Sequence, residues 1–433
     1  MIRKSTFIKS TIILIIGGAL TKLLGMVIKI VMTRAIGTEG IGIYMLISPT
    51  FMLLIALAQL GFPIAISTLV ATDKKNNKNL VFSIIPISLL LNTILLVIVF
   101  LISHTLATNL LHEERCYLGI LSMAFVLPFV SISSILRGYF FGKQRMIPHV
   151  VSNVIEDLVR LLILAFGIPY FLSFGLEYAV AFIILSNIFS ELTSILVLFF
   201  FLPKQFKLSK QDFIPQKQNI KDVFSISLPA TGSRLIGNIG AFFEPIILSF
   251  ILLRIGYSNH FMVTEYGILN GYIMPILLMP SFFTMAISQA LIPTISKAYS
   301  HGHYAYAKGK LRQAIGFSLL IGIPMTILFE LIPEFALKFI YNTTEGVTYL
   351  RVLAPVFLIF YIQAPLTATL QAMGKAKEAM AGTLQGMILR TVLLLFLSTL
   401  RIGMYGLIIA SSFNILYVTL HQYKYVKNYL NVV

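Results

Sequence analysis

Residues 81–103 read VFSIIPISLLLNTILLVIVFLIS and contain no charged side chain. An α-helix rises about 1.5 Å per residue, so a run of this length crosses the roughly 30 Å hydrocarbon layer of a bilayer. The whole chain is 58% hydrophobic and only 11% charged, with a mean hydropathy of +0.90. A water-soluble fold could not cover this much apolar surface. The sequence therefore predicts a polytopic α-helical integral membrane protein.

Similar apolar runs recur along the chain, and we count about twelve of them. The predicted spans are 10–33, 41–71, 81–103, 118–141, 150–171, 177–202, 223–253, 266–296, 313–332, 350–371, 381–400 and 402–423. Several of the longer spans contain proline, at Pro49, Pro63, Pro245, Pro275, Pro280 and Pro293. Proline removes a backbone donor, so we expect bent helices whose freed carbonyls face protein rather than lipid.

The net charge of +17 reflects topology rather than nucleic-acid binding. The basic residues alternate from loop to loop instead of forming one basic face, which argues against a nucleic-acid partner. About 21 Lys and Arg lie at the two termini and in alternate loops, against about 6 in the opposite loops. The start resembles a signal peptide, yet it continues through Lys22 and Lys29 without a small-residue cleavage site. We therefore expect a retained first helix and two cytoplasmic termini.

Four short matches recur in the same order in the two halves of the chain. They pair Thr21–Gly25 with Ser233–Gly237, Thr38–Tyr44 with Thr264–Tyr272, Gln59–Pro63 with Gln289–Pro293, and Leu136–Lys143 with Leu370–Lys375. Each half holds about six spans, an even number, so the halves have the same orientation and a pseudo-twofold axis along the membrane normal. The predicted lobes are residues 1–215 and 216–433, with the basic loop 203–221 as their linker.

The first predicted helix carries two lysines, Lys22 and Lys29, seven residues apart and hence on one face. Through the repeat, Lys22 corresponds to Arg234, so we expect two cations to face each other across the pseudo-twofold axis. Charge at membrane depth is costly unless it faces a cavity. Such a cavity suits an anion, and a pyrophosphate that links a sugar to a lipid fits it well. The alternative is that these lysines snorkel or pair with Glu244.

Other ionisable side chains inside the spans are Glu156, Asp157, Arg160, Glu191, Glu244 and Arg390. The first three lie close together on the fifth span, with spacing that favours ion pairing within one helix. The last three are isolated, and each is either a coupling-ion site or the partner of a nearby cation. Near helix ends, Arg137 is expected to snorkel, and Arg34 with Glu39 to anchor the outer end of the first helix.

Enzyme signatures are missing from the sequence, which has no Walker A motif, no GxSxG, no His-Glu-x-x-His and no Cys pair for zinc. His301-x-His303 lies in a basic loop, where an isolated pair indicates solvated surface rather than a metal site. We therefore expect no catalytic residue, no metal and no cofactor. Energy for transport would come from an ion gradient (Na⁺ or H⁺), the membrane potential or substrate supply.

Three stretches carry a family resemblance: Thr21–Gly25 with Lys29 and Arg34–Tyr44, then Gln59–Ser67, then Leu136–Gly142. They resemble polysaccharide flippases of the multidrug/oligosaccharidyl-lipid/polysaccharide (MOP, MATE-like) superfamily, a family with sporulation members. The resemblance implies two six-helix lobes that enclose a cavity and rock between inward-open and outward-open states. It also implies that Lys22, Lys29 and Arg34 hold the positions of the basic residues that line the cavity of lipid II flippases. Lys in place of Arg keeps the charge but loses bidentate phosphate geometry.

The resulting hypothesis is a flippase that moves a lipid-linked oligosaccharide, a peptidoglycan or polysaccharide precursor, to the outer leaflet of a bacterial cell membrane. Sporulation, and cell-envelope synthesis proteins as partners, are implied only by family likeness. One alternative is a cation-coupled multidrug or metabolite antiporter of the same fold, which would use acidic residues such as Glu244 and Glu191. Another is a membrane glycosyltransferase or ligase, a class that usually has larger outer loops than this chain.

Overall fold

A computed structural model describes residues 2–72, 77–203 and 209–430. Within these ranges the regular secondary structure consists of helices alone. Nine helical stretches of the described chain are long and apolar enough to cross a membrane. The predicted all-α integral membrane fold is therefore confirmed.

The chain forms two compact units, Met1–Ile246 and Ile247–Val433. The division falls inside a long helix, Lys217–Arg254, because the first turns of that helix pack into the first unit. Val223 is fully buried in a cluster with Phe62 and Phe140, and Phe224 packs against it. The lobe boundary between residues 215 and 216 stays a prediction.

The first unit contains eight helices, the last of which continues into the second unit. They are α1 (Ile2–Gln59), α2 (Phe62–Ala71), α3 (Asn77–Phe82), α4 (Ile84–Thr105), α5 (Cys116–Gly142), α6 (Met146–Leu172), α7 (Leu176–Phe200) and α8 (Lys217–Arg254). A π-helical turn, Leu106–Leu110, extends α4, and a 3₁₀ turn, Lys210–Phe213, precedes α8. Helix α1 joins the first two predicted spans, but Gly37 interrupts it with φ 67° and ψ −174°. Only glycine adopts that region readily, so the two spans are separate helices.

The second unit contains the end of α8 and eight further helices. They are α9 (Asn259–Gly267), α10 (Met274–Leu278), α11 (Ser281–Ser300), α12 (Tyr304–Leu331), α13 (Pro333–Tyr341), α14 (Val347–Ala372), α15 (Ala376–Leu397) and α16 (Tyr405–Leu430). The predicted eighth span, 266–296, is broken into α9, a π-helical turn at Ile268–Ile273, α10 and α11. Pro275 and Pro280 lie at the starts of α10 and α11. Proline fits a first helical turn but interrupts a helix interior, which explains these breaks.

One repeated stretch has the same backbone geometry in both units. Helix α5 ends with Gln144 at φ 55°, and Arg145 N–H donates to the Phe140 carbonyl at 2.9 Å. Helix α14 ends with Gly374 at φ 75°, and Lys375 N–H donates to the Leu370 carbonyl at 2.8 Å. Both are C-terminal helix caps in which a left-handed residue lies within a six-residue loop closed by a backbone hydrogen bond, as in the Schellman motif. The structure therefore matches Gln144 with Gly374. The sequence match instead pairs Gly142 with Gly374, a difference of two residues.

Another repeated stretch differs between the units. Leu60 and Gly61 have positive φ values and separate α1 from α2. The matching stretch, Gln289–Pro293, lies inside the continuous helix α11. Leu291 occupies the place of Gly61, and a residue with a Cβ adopts the left-handed region at a higher cost than glycine does. The sequence likeness here therefore does not extend to the backbone.

Candidate functional site

The predicted basic face of α1 lies open. Lys22 is exposed and Lys29 is half-buried. Gly18 and Gly25 lie on the same face, since the steps between these four residues are three or four positions. A Cβ added at either glycine would meet no neighbouring atom within 4 Å. The first unit therefore leaves space beside both lysines, which an anionic group could enter.

Arg234 lies on a similarly open part of α8. It is exposed, and an added Cβ at Gly232 or Gly237 would also meet no neighbour within 4 Å. Its guanidinium donates to Gln59 Oε1 at 3.0 Å. Gln59 ends α1, far along the helix from Lys22. The opposition of Lys22 and Arg234 across a twofold axis stays a prediction.

A buried charge cluster joins three helices of the first unit. Arg137 on α5 forms an ion pair with Glu156 on α6 and lies 3.6 Å from Glu191 on α7. It also donates to Ser194 Oγ at 2.8 Å. Ser133 Oγ donates to Glu191 Oε2 at 2.5 Å. One guanidinium therefore lies between two carboxylates, with its side chain only 18% exposed.

Two expectations about these residues are wrong. Arg137 does not snorkel to the membrane surface, because two buried carboxylates on neighbouring helices bind it. Glu156 pairs across helices with Arg137, and the described residues contain no ion pair between Glu156 and Arg160. Asp157 is half-buried. Of the two readings for Glu191, the structure supports that of a partner of a nearby cation.

A polar stripe extends the cluster along α6. His149, Asn153, Glu156 and Arg160 follow one another at steps of three or four residues, so they share one face. Three of them have a buried polar atom without a hydrogen-bond partner in the described part of the chain: His149 Nδ1, Asn153 Oδ1 and Arg160 Nε. Arg137 Nε has the same property. Buried polar atoms are normally satisfied, so this stripe is where water or an ion would bind.

The chemistry open to the cluster follows from its members. An arginine remains protonated in proteins, so only the carboxylates can gain or lose a proton. Arg137 and Arg160 carry two positive charges against the three carboxylates of Glu156, Asp157 and Glu191, so with all three carboxylates ionised the cluster and its stripe carry one net negative charge in a low-dielectric setting. Such a group favours the uptake of a proton or a small cation.

A second ion-pair cluster lies beside the break in α1 at Gly37. Arg115 donates to Glu39 Oε1 at 2.6 Å and to Glu113 at 2.7 and 2.9 Å. The hydrogen bonds that Arg115 donates, first to Glu113 and then to Glu39, raise the pKa of Arg115 above its ordinary value. Glu39 follows the break at Gly37, so this cluster fixes the start of the second helical half of α1. Arg34 is exposed and stays a predicted substrate residue.

The remaining candidates lie apart from these clusters. Glu244 is buried on α8, and Arg390 on α15 donates to Ser411 Oγ at 3.2 Å. Sequence reasoning missed Ser133, Ser194 and Gln59 as partners of the charged residues. Serine and glutamine in an apolar helix are common, and no local pattern indicated which helix each would contact.

Comparisons with known proteins agree with the fold and the resemblance. The family model described as "Polysaccharide biosynthesis protein" matches residues 7–299, and the model described as "MatE" matches residues 261–396. Stage V sporulation protein B of Bacillus subtilis (strain 168) is 38% identical over 429 residues, which cover 96% of this chain and 83% of that protein. Lipid II flippase MurJ of the same organism is 23% identical over 419 residues, covering 90% and 77% respectively.

Solved structures show the same fold. A multidrug resistance MATE family transporter of the MOP superfamily in its inward-facing conformation superposes with a TM-score of 0.74 at 17% identity, covering 95% of this chain and 94% of that one. An outward-facing conformation of such a transporter gives a TM-score of 0.59, also at 17% identity, covering 99% and 96%. The predicted MATE-like fold is confirmed. Since one family model matches well over half of its residues, this chain belongs to the polysaccharide biosynthesis protein family.

Proposed function

We propose that this chain moves a lipid-linked sugar, a precursor of peptidoglycan or of another envelope polysaccharide, to the outer leaflet of a bacterial cell membrane by alternating access. It acts as a transporter and not as an enzyme, with both termini in the cytoplasm. The observation that carries the proposal is the open basic face of α1, where Lys22 and Lys29 lie beside uncovered glycines. The names of two relatives, a sporulation protein and a lipid II flippase, support it.

The basic face suits the phosphate part of such a substrate. Lys22 and Lys29 lie two turns apart, about 10 Å along the helix axis. A pyrophosphate carries several charges and accepts hydrogen bonds from more than one ammonium group. Arg234 provides a planar guanidinium that can bind two phosphate oxygens at once. Together these three cations supply the charge that an anionic head group needs on entering the low-dielectric interior.

We place the coupling step at the charge cluster of Arg137, Glu156 and Glu191. Its net negative charge suits the binding of H⁺ or Na⁺, and Asn153 Oδ1 on the same stripe is an unpartnered acceptor. The membrane potential would act on the same bound charge.

Transport of a labelled lipid-linked precursor by proteoliposomes tests this function. Lys22→Gln, Lys29→Gln and Arg234→Gln should each abolish transport while the protein stays folded and inserted. Each change removes a charge-assisted contact of about 1.5–3 kcal/mol, or roughly 10- to 150-fold in affinity. Charge reversal at Lys22 should be worse than neutralisation, because it repels the anionic head group.

Two lysines provide matched controls. Lys75→Gln lies outside the described residues, in a stretch that the sequence predicts to be a loop, and Lys424→Gln lies on an exposed position of α16. Both remove one positive charge without touching the proposed basic face, and both should transport normally. If all three variants of the basic face complement a deletion as well as the wild-type protein does, the anionic-substrate proposal is wrong. The acidic antiporter hypothesis would then be the better one.

A further inference from the structure

The second unit contains a cleft between α11 and α14 whose polar lining is uncharged. The cleft has a volume of about 410 Å³, within the usual range for small-ligand sites. Its lining extends from Leu278 to Gln289 on one side and from Phe360 to Gln371 on the other. The polar side chains that matter here are Thr284, Ser288, Gln289, Gln363, Thr367 and Gln371. No carboxylate, lysine or arginine lines the cleft.

Amides on apolar helices need polar surroundings. Helix α14 is long and apolar enough to cross a membrane, yet it carries two glutamines into the cleft. Gln289 and Gln371 are both exposed, and neither side-chain amide makes a hydrogen bond within the described part of the chain. Polar groups inside the membrane usually face a cavity or one another, because lipid cannot satisfy them. Their convergence on one cleft indicates a polar ligand there.

Helix α16 holds part of the lining in place from behind. Gln363 Nε2 donates to the Ile415 carbonyl at 2.9 Å and to Thr419 Oγ1 at 2.8 Å. Thr367 Oγ1 donates to Gln422 Oε1 at 2.9 Å. These bonds fix the middle of the cleft wall, whereas Gln289 and Gln371 are not held. The cleft thus combines a preorganised wall with two side-chain amides that have no hydrogen-bond partner in the described part of the chain. This arrangement is suited to binding a ligand.

The chemistry of this lining favours a neutral, hydroxyl-rich ligand. Amide and hydroxyl side chains both donate and accept hydrogen bonds, as sugar hydroxyl and N-acetyl groups require. Phe360 adds an apolar surface against which a sugar ring could pack. A hard divalent cation is usually bound by carboxylates in addition to carbonyl oxygens, and the described lining residues contain no carboxylate. A phosphate would need a positive charge.

We propose that this cleft binds the saccharide of the lipid-linked substrate, and so selects the substrate by its sugar. The proposal rests on the proposed function, since it names the part of that substrate that the second unit recognises. Substrates with the same phosphate and lipid but different sugars would therefore differ in affinity through this cleft.

The test compares two ligands that differ only in the sugar. Binding of a polyprenyl pyrophosphate with and without an attached N-acetylated disaccharide is measured on the purified full chain. The double variant Gln289→Leu with Gln371→Leu loses two neutral hydrogen bonds, so its affinity for the sugar-bearing ligand should fall roughly 30-fold. Its affinity for the sugar-free ligand should not change. Gln385→Leu is the matched control, an exposed glutamine on α15 outside the cleft.

Each contrary result has a separate meaning. The sugar site would be overturned if the double variant bound both ligands more weakly by the same factor. It would also be overturned if the double variant changed only the Na⁺ dependence of binding. A wild-type protein that binds both ligands equally well would overturn it too, and in that case the proposed flippase function would stand. Wild-type protein that binds neither ligand would reject the proposed function and the sugar site together. Equal thermal unfolding midpoints for the variants and the wild type exclude misfolding as the cause.

Discussion

Arg137 of α5 forms an ion pair with Glu156 of α6 inside the first unit. Both side chains are less than one-fifth exposed. Glu191 on α7 lies 3.6 Å from the same guanidinium. The Arg137 guanidinium therefore joins α5, α6 and α7. Removal of this cation would leave two carboxylates without their counterion.

The substitution Arg137→Leu should destabilise the protein strongly. Removal of one partner of a buried ion pair costs about 3–5 kcal/mol, because the other charge stays buried and uncompensated. Denaturant unfolding in detergent measures the loss. Arg312→Leu is the control, since Arg312 is exposed and has no ion pair among the described residues. Equal stability of both variants would show that the cluster is not needed for folding.

Gly61 should not tolerate a side chain. Its φ is +63°, and an added Cβ would lie 2.5 Å from the backbone carbonyl oxygen of Ser227 on α8. Backbone strain and overpacking each cost about 1–3 kcal/mol, so Gly61→Ala should lose about 2–5 kcal/mol of unfolding free energy. Gly309→Ala, where the Cβ meets nothing within 4 Å, should be neutral or slightly stabilising. A small effect at Gly61 would contradict the close approach of α2 to α8.

The stability of the contact between Lys78 and Asp212 should depend on pH only in acid. Asp212 lies 2.6 Å from Lys78, and hydrogen bonds from Lys78 and from Ser209 hold its pKa below the ordinary value of 3.8. A depressed folded-state pKa stabilises the structure above pH 3.8, and that stabilisation is lost as pH falls through the folded-state pKa. The contact should therefore be constant from about pH 5 to 8.

Hydrogen exchange of the amides of α3, corrected for intrinsic rates, measures this contact. Protection should be flat at neutral pH and fall below about pH 4. Asp212→Asn should reduce the protection at neutral pH and remove the part of the acid transition that belongs to this carboxyl. An unchanged acid transition in that variant would assign it to other groups.

The proposed topology predicts the side of the membrane for three positions. Reporter fusions after Lys78, Lys221 and Val433 should all report a cytoplasmic location, because the basic loops favour that side. An external location at Lys221 would give the second half the opposite orientation to the first. The parallel two-lobed arrangement would then be wrong.

The sequence by itself determined the helices. In lipid the backbone must satisfy its own hydrogen bonds, so a long apolar run without charge can form little else. The run at 81–103 forms α4 (Ile84–Thr105), and two prolines of the eighth predicted span, Pro275 and Pro280, lie at the observed breaks, whereas Pro293 lies inside α11. Helical periodicity likewise predicted that Lys22 and Lys29, seven residues apart, lie on one face of their helix. Each of these predictions depended on neighbours within a few turns of the chain.

Only the tertiary structure decided which charges meet. Arg115 contacts Glu39 across 76 positions, and Glu191 bonds Ser133 across 58. Helical periodicity gives the face on which a residue lies but not the helix that covers that face. The intrahelical spacing of Glu156 and Arg160 therefore suggested a pair that does not form, because a cation from α5 lies closer. The uncharged cleft likewise requires α11 and α14 to be adjacent, and helix adjacency follows from packing complementarity over the whole surface rather than from any local pattern.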